Sequence, residues 1–302
     1  MHETEDVRTT VMRVLMLGEE LHDLEKSIRK GLRTGRFKKL EGKSGAVATT
    51  YLRAGFSCRR LPPLPAGRSN AYQTVFEEHL IRLQRAGVLT VVSEPRIITR
   101  EDGSTVVWVV QKEVAPELHL QSWLTERDPD DAAVTHVWDR ILTLTFAAVR
   151  DGLGLDARLY NWVVPRRDPQ YLGSAVPLLR SAAGREELDL DITFGRAPRW
   201  LRGILGSLVL ERMRTPYYSP RGVVLDLLAD VDRRDLSHHV APLLRVVNGR
   251  LGRLGAAPVT EREVVGRRRA AEAVDMLLGA ISTLDVTVRK FRRRPPRFLP
   301  GP

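Results

Sequence analysis

Gly154-Leu155-Asp156-Ala157-Arg158-Leu159-Tyr160-Asn161-Trp162-Val163-Val164, GLDARLYNWVV, sets an aspartate and an asparagine five positions apart, just ahead of a short apolar run. Two readings are open: a loop that does chemistry, or a polar turn between a helix and a strand. The neighbours bear on the choice. Upstream, Asp130 to Gly152 carries Val134, Val137, Trp138, Ile141, Leu144, Thr145 and Ala148 at helical steps, which predicts one long helix. Downstream, Asn161 to Val164 and Gln170 to Ala175 read as a small hairpin around Pro165-Arg166-Arg167-Asp168-Pro169.

Further out, the texture divides the chain. Val7 to Lys30 reads as an amphipathic helix, with Val11, Val14, Leu15, Leu21 and Leu24 on one side. Leu40 to Leu64 reads as three short strands, separated near Gly42–Gly45 and at Arg53-Ala54-Gly55. Tyr72 to Ala86 is a helix by the steps of Val75, Phe76, Leu80 and Leu83, and Gly87 stops it. Val88 to Val92 and Arg96 to Thr99 read as strands, Glu101-Asp102-Gly103-Ser104 as a hairpin turn, and Val106 to Val110 as a buried strand. After Pro116 the pattern is helical: Leu118 to Leu124, the long helix above, Pro198 to Arg212, Pro220 to Asp232, Asp235 to Leu254 and Glu261 to Thr283. A β-rich first third followed by a helical remainder predicts an α+β, bilobal layout. Its expected parts are a helical extension over 1–37, a β-rich lobe over 38–115, a helical lobe over 116–288 and a basic, Pro-rich tail over 289–302.

Composition excludes several classes. Of 302 residues 43% are hydrophobic, enough for a substantial core, yet no run of eighteen apolar residues predicts a membrane span. The single Cys58 excludes an internal disulfide framework and a cysteine-cluster zinc site. Met1 to Asp6 is acidic and polar, unlike a secretory signal, so a cytoplasmic location is expected. The net charge is +11, and of 48 basic residues seven are lysine, leaving 48 − 7 = 41 arginines. Such a bias is produced by a GC-rich genome as well as by an anionic partner. The basic residues cluster at Arg29 to Lys43, Arg262 to Arg269 and Arg289 to Arg297, the last offering a tail for such a partner. His238 and His239 are adjacent rather than spaced for one metal, and His79, His119 and His136 have no partner at ligand spacing. Asp189-Leu190-Asp191 alternates like a strand or a turn and reads as a capping pair, with a compensating metal role as the alternative that nothing else in the sequence supports.

Several short stretches acquire meaning together. Gly42-Lys43-Ser44-Gly45 falls between the first two expected strands, Arg59 in the third, and Glu77 and Glu78 on the helix that follows. Val109-Val110-Gln111-Lys112-Glu113 ends the last strand of the β-rich part, and Asp156 and Asn161 follow the long helix. In this order the chain resembles, over roughly residues 38–255, the protein-kinase-like fold shared by protein kinases and aminoglycoside or choline phosphotransferases. The resemblance implies ATP and magnesium as cofactors and a small molecule or peptide as substrate. It implies that Gly42, Ser44 and Gly45 cover the phosphates, although a plain hairpin turn reads equally from the residues. Arg59 takes the place of the phosphate-binding lysine, with Glu78 as its carboxylate partner, although glutamates are also common on solvated helix faces. Gln111 and Glu113 belong to the hinge that receives adenine. Asp156 becomes the residue that orients or deprotonates the attacking hydroxyl, and Asn161 a metal ligand.

The chain departs from that pattern at three polar positions. Arg59 replaces lysine. Gly154 stands where the family places a histidine two residues before its aspartate. Tyr171-Leu172-Gly173-Ser174-Ala175 lacks the second, magnesium-binding aspartate, and Asp168 comes too early to supply it. The resemblance therefore implies a degenerate, pseudokinase-like bacterial member that binds a nucleotide or a partner. The alternatives are an active ATP-dependent phosphotransferase and, from charge alone, a basic nucleic-acid-binding protein without a nucleotide site.

Overall fold

The computed structural model describes residues 18–28, 42–44, 48–53, 55–64, 67–188, 215–273 and 276. Within these, the chain is a mixed α+β structure built on a small antiparallel sheet. Its strands are β1 (Gly42–Ser44), β2 (Thr49–Arg53), β3 (Phe56–Arg60), β4 (Ser93–Thr99) and β5 (Thr105–Lys112), in the order β1-β2-β3-β5-β4. Each neighbouring pair is antiparallel, so the β2–β3 and β4–β5 connections are hairpins. Gly55 and Gly103 turn these hairpins with φ of 77° and 74°, a conformation that costs other residues more.

β5 explains why its sequence runs apolar without alternation. Val106, Trp108 and Val110 face one side, where they pack with Leu21, Leu24 and Ile28 of helix α1 (18–28). Val107 and Val109 face the other, in a cluster with Tyr72 and Phe76 of helix α2 (Arg68–Arg85). The strand is covered on both faces, and successive side chains serve the two clusters in turn. An ionic contact fastens α1 as well: Glu25 accepts hydrogen bonds from Arg60 at 2.7 and 2.9 Å and from Arg100 at 2.9 Å.

α2 buries Ser69, Tyr72, Phe76, His79 and Leu83, spaced by three and four, and begins a turn earlier than the apolar spacing suggests. The stretch expected as a strand over Val88 to Val92 is an extended connection instead. Only Thr90 makes a bridge, to Tyr171, with Val91 N–H donating to Tyr171 O at 2.9 Å and Tyr171 N–H to Leu89 O at 2.7 Å. Val88 alone of this run is fully buried, whereas Leu89 and Val92 are 53% and 84% exposed, so the run packs at one end and forms no sheet register. β4 accordingly starts at Ser93 rather than Arg96.

The helical part comprises α3 (Leu120–Thr125), α4 (Ala132–Ala148), α5 (Pro220–Arg233), α6 (Val240–Arg253) and α7 (261–273). Asp131 caps α4 by accepting from Ala133 N–H, and Ser219 caps α5 through Gly222 N–H at 3.1 Å, ahead of Pro220 at its first turn. Their apolar faces form the largest buried cluster. β6 (Trp162–Val163) and β7 (Gln170–Tyr171) make a two-stranded ladder shorter than the expected hairpin. The expected helix over Pro198 to Arg212 and the Asp189–Asp191 pair lie outside the described residues. No helix among the described residues is long and apolar enough to cross a membrane.

Candidate functional site

The loop over Gly154 to Asn161 joins α4 to β6 and is fixed on every side. Gly154 is held close: a Cβ there would lie 2.8 Å from the Tyr218 ring and 3.0 Å from Leu178 Cβ. Its carbonyl faces His79 Nε2 at 3.2 Å, and a carbonyl only accepts, so the neutral ring donates from that nitrogen. Leu159 N–H donates to Asp230 Oδ2 at 3.0 Å, and Trp162 Nε1–H to Ala157 O at 3.1 Å. Asn161 Nδ2–H donates to the Asp156 carbonyl at 2.9 Å, closing the loop upon itself.

Asp156 is 4% exposed, and both its carboxylate oxygens are engaged. Arg158 forks onto it, Nε–H to Oδ1 at 2.8 Å and Nη2–H to Oδ2 at 2.6 Å, and Tyr160 O–H donates to Oδ2 at 3.1 Å. Burial alone would push this carboxyl up; the charge and hydrogen bonds of Arg158, with help from Tyr160, hold it below the usual carboxylate range. Asp156 is thus an ionised partner in a bidentate pair. Arg158 in turn lies 5.0 Å from the Tyr160 ring centroid and 5.8 Å from that of Tyr217.

Arg59 reaches from β3 to the segment that follows β7. Nη1–H donates to Gly173 O at 2.7 Å, and Nη2–H to Leu172 O at 3.1 Å and to Gln111 Oε1. No carboxylate accepts from it among the described residues, its Nε is buried without a partner, and burial pulls its pKa below the ordinary arginine value. Gln111 bridges the same region, donating to Leu172 O and to Ser93 Oγ at 2.6 Å. Tyr72 O–H donates to Ala175 O at 2.6 Å. The stretch 172–175 is thereby tied to α2, β3 and β5 through its backbone carbonyls.

Several expected placements change. Gly42 and Ser44 lie within β1, paired with Tyr51 and Thr49, rather than in a loop after it, because the antiparallel ladder with β2 runs through Gly42–Ser44. Gly45 lies outside the described residues. Glu78 does not meet Arg59: it sits on the half-exposed side of α2 and accepts from Arg82, one turn along, at 2.7 Å. Glu77 accepts from Gln73 instead. Glu113, expected in an adenine-binding hinge, instead donates its N–H to Gly55 O at 2.8 Å, in the β2–β3 turn. Asp168 lies within 3.8 Å of His136 and Arg140 on α4, away from Asp156's partners.

For magnesium the donor set is thin. Asn161's amide nitrogen is turned to the Asp156 carbonyl, Gly173 and Ser174 offer no carboxylate, and no group of three or more His, Cys, Asp or Glu side chains is placed to hold a metal among the described residues. Arg267 and Arg268 of one basic cluster are ion-paired with Asp226 and Asp232, whereas Arg29 to Lys43 and Arg289 to Arg297 fall largely or wholly outside the described residues. Sequence reasoning missed His79, Arg158, Tyr72 and Asp230. His79 had a signal, since it falls on the apolar face of α2 between Phe76 and Leu83.

An α+β chain with a five-stranded antiparallel sheet, a helix inserted between β3 and β4 and a buried Asp-Arg loop after α4 is the class these observations define. The chain belongs to a family of unknown function, DUF6206, whose model matches residues 23–275. No curated protein matches it. Among solved structures it is similar to the Neurospora crassa PAN3 pseudokinase, at 13% identity and a TM-score of 0.31, over 81% of this chain and 62% of that one. A mutant of the same pseudokinase gives 12% identity and a TM-score of 0.30, over 81% of this chain and 61% of that one. The chain therefore spans less than two thirds of the pseudokinase chains it matches.

Proposed function

We propose that the chain is a bilobal, kinase-like protein of the degenerate kind, whose sheet-based and helical parts flank a cleft that binds a nucleotide or a partner without phosphoryl transfer. What supports the kinase-like layout is the order of the elements: α2 lies between β3 and β4, and Asp156 and Asn161 lie on the loop between α4 and β6. The observation that carries the loss of transfer is Asp156 itself. Its two oxygens are taken by Arg158 and Tyr160, so it has no basic lone pair turned toward an incoming hydroxyl. Arg59 points the same way, since it bonds to the carbonyls of Leu172 and Gly173 where a working member of that fold would set a metal-binding carboxylate.

Thermal unfolding with ATP, with magnesium and with both tests this reading. A ligand at a hundred times its dissociation constant stabilises by about 2.7 kcal/mol, well within reach of a melting curve. The expected result is a shift with ATP that magnesium does not enlarge. No shift at all removes the nucleotide and leaves partner binding. A shift that requires both ligands overturns the metal-independent reading.

An active phosphotransferase acting on a small molecule or peptide is the second reading. It is favoured by the Asn161–Asp156 bond that closes the loop and by the ionised state of Asp156. Transfer activity abolished by Asp156→Ala, with folding kept, would establish it; turnover that survives the change would end it.

A further inference from the structure

A recess of about 160 Å³ opens where α2 and α4 end side by side, lined by Arg82, Arg85, Ala148, Arg150, Asp151 and Leu153. None of these residues touches the carboxylate of Asp156 or the guanidinium of Arg59. Three of the four charged groups in the wall are arginines.

Arginines at helix C-termini commonly serve the unpaired carbonyls there and the negative end of the helix dipole. Here much of that need is met by the backbone. Ala86, Gly87 and Val88 N–H close the end of α2 onto Arg82 O, Gln84 O and Leu83 O at 3.0, 2.9 and 3.0 Å. Val149 and Arg150 N–H close the end of α4 onto Thr145 O and Ala148 O at 3.0 and 2.9 Å. Arg82 is held by Glu78 at 2.7 Å, and the charge of Arg85 also acts on Glu78, but the guanidinium groups of Arg85 and Arg150 are exposed and make no side-chain hydrogen bond or close ion pair among the described residues. Against them the recess sets one carboxylate, Asp151.

The frame around Arg150 is rigid. Asp151 and Gly152 take positive φ of 51° and 76°. Gly152 O accepts from Arg180 N–H at 2.8 Å, and a Cβ on Gly152 would meet Arg180 O at 2.5 Å, so the turn admits no side chain there. Leu153 bridges to Leu179. Two guanidinium groups on fixed backbones, beside a small concavity, suit the bidentate recognition of a carboxylate. Ile81, 41% exposed and one helical turn before Arg85, adds an apolar contact on the same face of α2.

We propose that this recess is a docking site for an acidic peptide segment of a partner protein, with Arg85 and Arg150 clamping a carboxylate and Ile81 covering a neighbouring apolar residue. The site is independent of the cleft and does not rest on the function proposed above.

Fluorescence anisotropy with a labelled Glu/Leu-rich peptide tests it on the full chain. The wild type is expected to bind at low salt, and an Arg85→Glu, Arg150→Glu double variant to bind at least tenfold more weakly with an unchanged melting temperature. Reversing the tail charges with Arg292→Glu, Arg293→Glu and Arg294→Glu is expected to leave the affinity unchanged. No binding by the wild type at low salt, equal binding by the double variant, or loss with the tail variant alone overturns the proposal. Inorganic phosphate and a single-stranded oligonucleotide form two further arms; competition by phosphate at equal or lower concentration than the peptide, or tighter oligonucleotide binding at the same arginines, overturns the choice of occupant.

Discussion

The imidazole of His79, on α2, meets the carbonyl oxygen of Gly154, two residues before Asp156, at 3.2 Å. A ring from one helix thus lies against the loop at Gly154. Burial pushes this histidine down to about 4, from 6.5 for the free side chain. The native state therefore refuses a proton that the unfolded chain accepts between those values. Stability from His79 is fully present above pH 6.5 and is lost as pH falls toward 4, by up to about 3 kcal/mol. Urea unfolding from pH 7.5 to 4.5 should show this slope, and His79→Gln, which keeps a donor but cannot ionise, should flatten it. An unchanged slope in the variant would assign the pH dependence to other groups.

Asp156→Ala is expected to destabilise the fold as well as any activity. It leaves Arg158 partly buried against Tyr160 and Tyr217 without its bidentate partner, a loss of about 2–4 kcal/mol. A purely catalytic aspartate would be replaced with little change in melting temperature, so the same measurement separates the two roles.

Gly173→Asp supplies the carboxylate that the kinase-like resemblance would call for and this chain lacks. No atom lies within 4 Å of the Cβ it would carry, but φ is +78° there, so the backbone strain costs about 1 kcal/mol. The variant is expected to melt slightly earlier alone and to gain a magnesium-dependent shift with ATP that the wild type does not show. If that added shift is missing in calorimetry, Arg59's bonds to the Leu172 and Gly173 carbonyls close the site to metal regardless of the carboxylate.

Glu25→Gln removes the one carboxylate that Arg60 and Arg100 share among the described residues; their side chains are 8% and 12% exposed. Two nearly buried cations would remain without a counter-charge, a loss of about 3–5 kcal/mol. In the wild type these arginines outweigh burial and hold the Glu25 carboxyl below its ordinary 4.5. Its contribution is therefore full above that value and disappears as pH falls through the lower native one. Chemical denaturation of the variant at pH 7 checks the magnitude.

Gly154→Ala tests how tightly the loop is seated. The added methyl would fall 2.8 Å from the Tyr218 ring and 3.0 Å from Leu178, and such overpacking costs about 1–3 kcal/mol. A melting temperature equal to the wild type would mean that Tyr218 swings aside freely.

Much of the α+β order was legible because it is written in local periodicity. The apolar steps of Val134, Val137, Trp138 and Ile141 give α4, and the unbroken run of β5 gives a strand buried on both faces. Asp156 and Asn161 were also legible as a pair, since their spacing is short. Their bonding was not, because a carboxylate's partner depends on side-chain direction: Arg158 was in the same stretch, two residues away, and its fork onto Asp156 leaves no trace in spacing. Arg59's contacts lie more than a hundred residues away at Leu172 and Gly173, and such pairings depend on the assembled fold. Glu78 misled for the opposite reason, since its exposed helix face offered Arg82 at four residues' distance.

Helix α1 also bears on where the folding unit begins. Texture alone would start a shortened version of the chain near residue 38, ahead of the first strand. Such a cut discards Leu21, Leu24 and Ile28 and lays bare Cys58, Trp108 and Val110 on one face of the sheet, with Arg60 and Arg100 stripped of Glu25. A protein trimmed there would present an apolar, positively charged β surface to its own copies, and poor solubility would follow from the choice of boundary rather than from any weakness of the sheet.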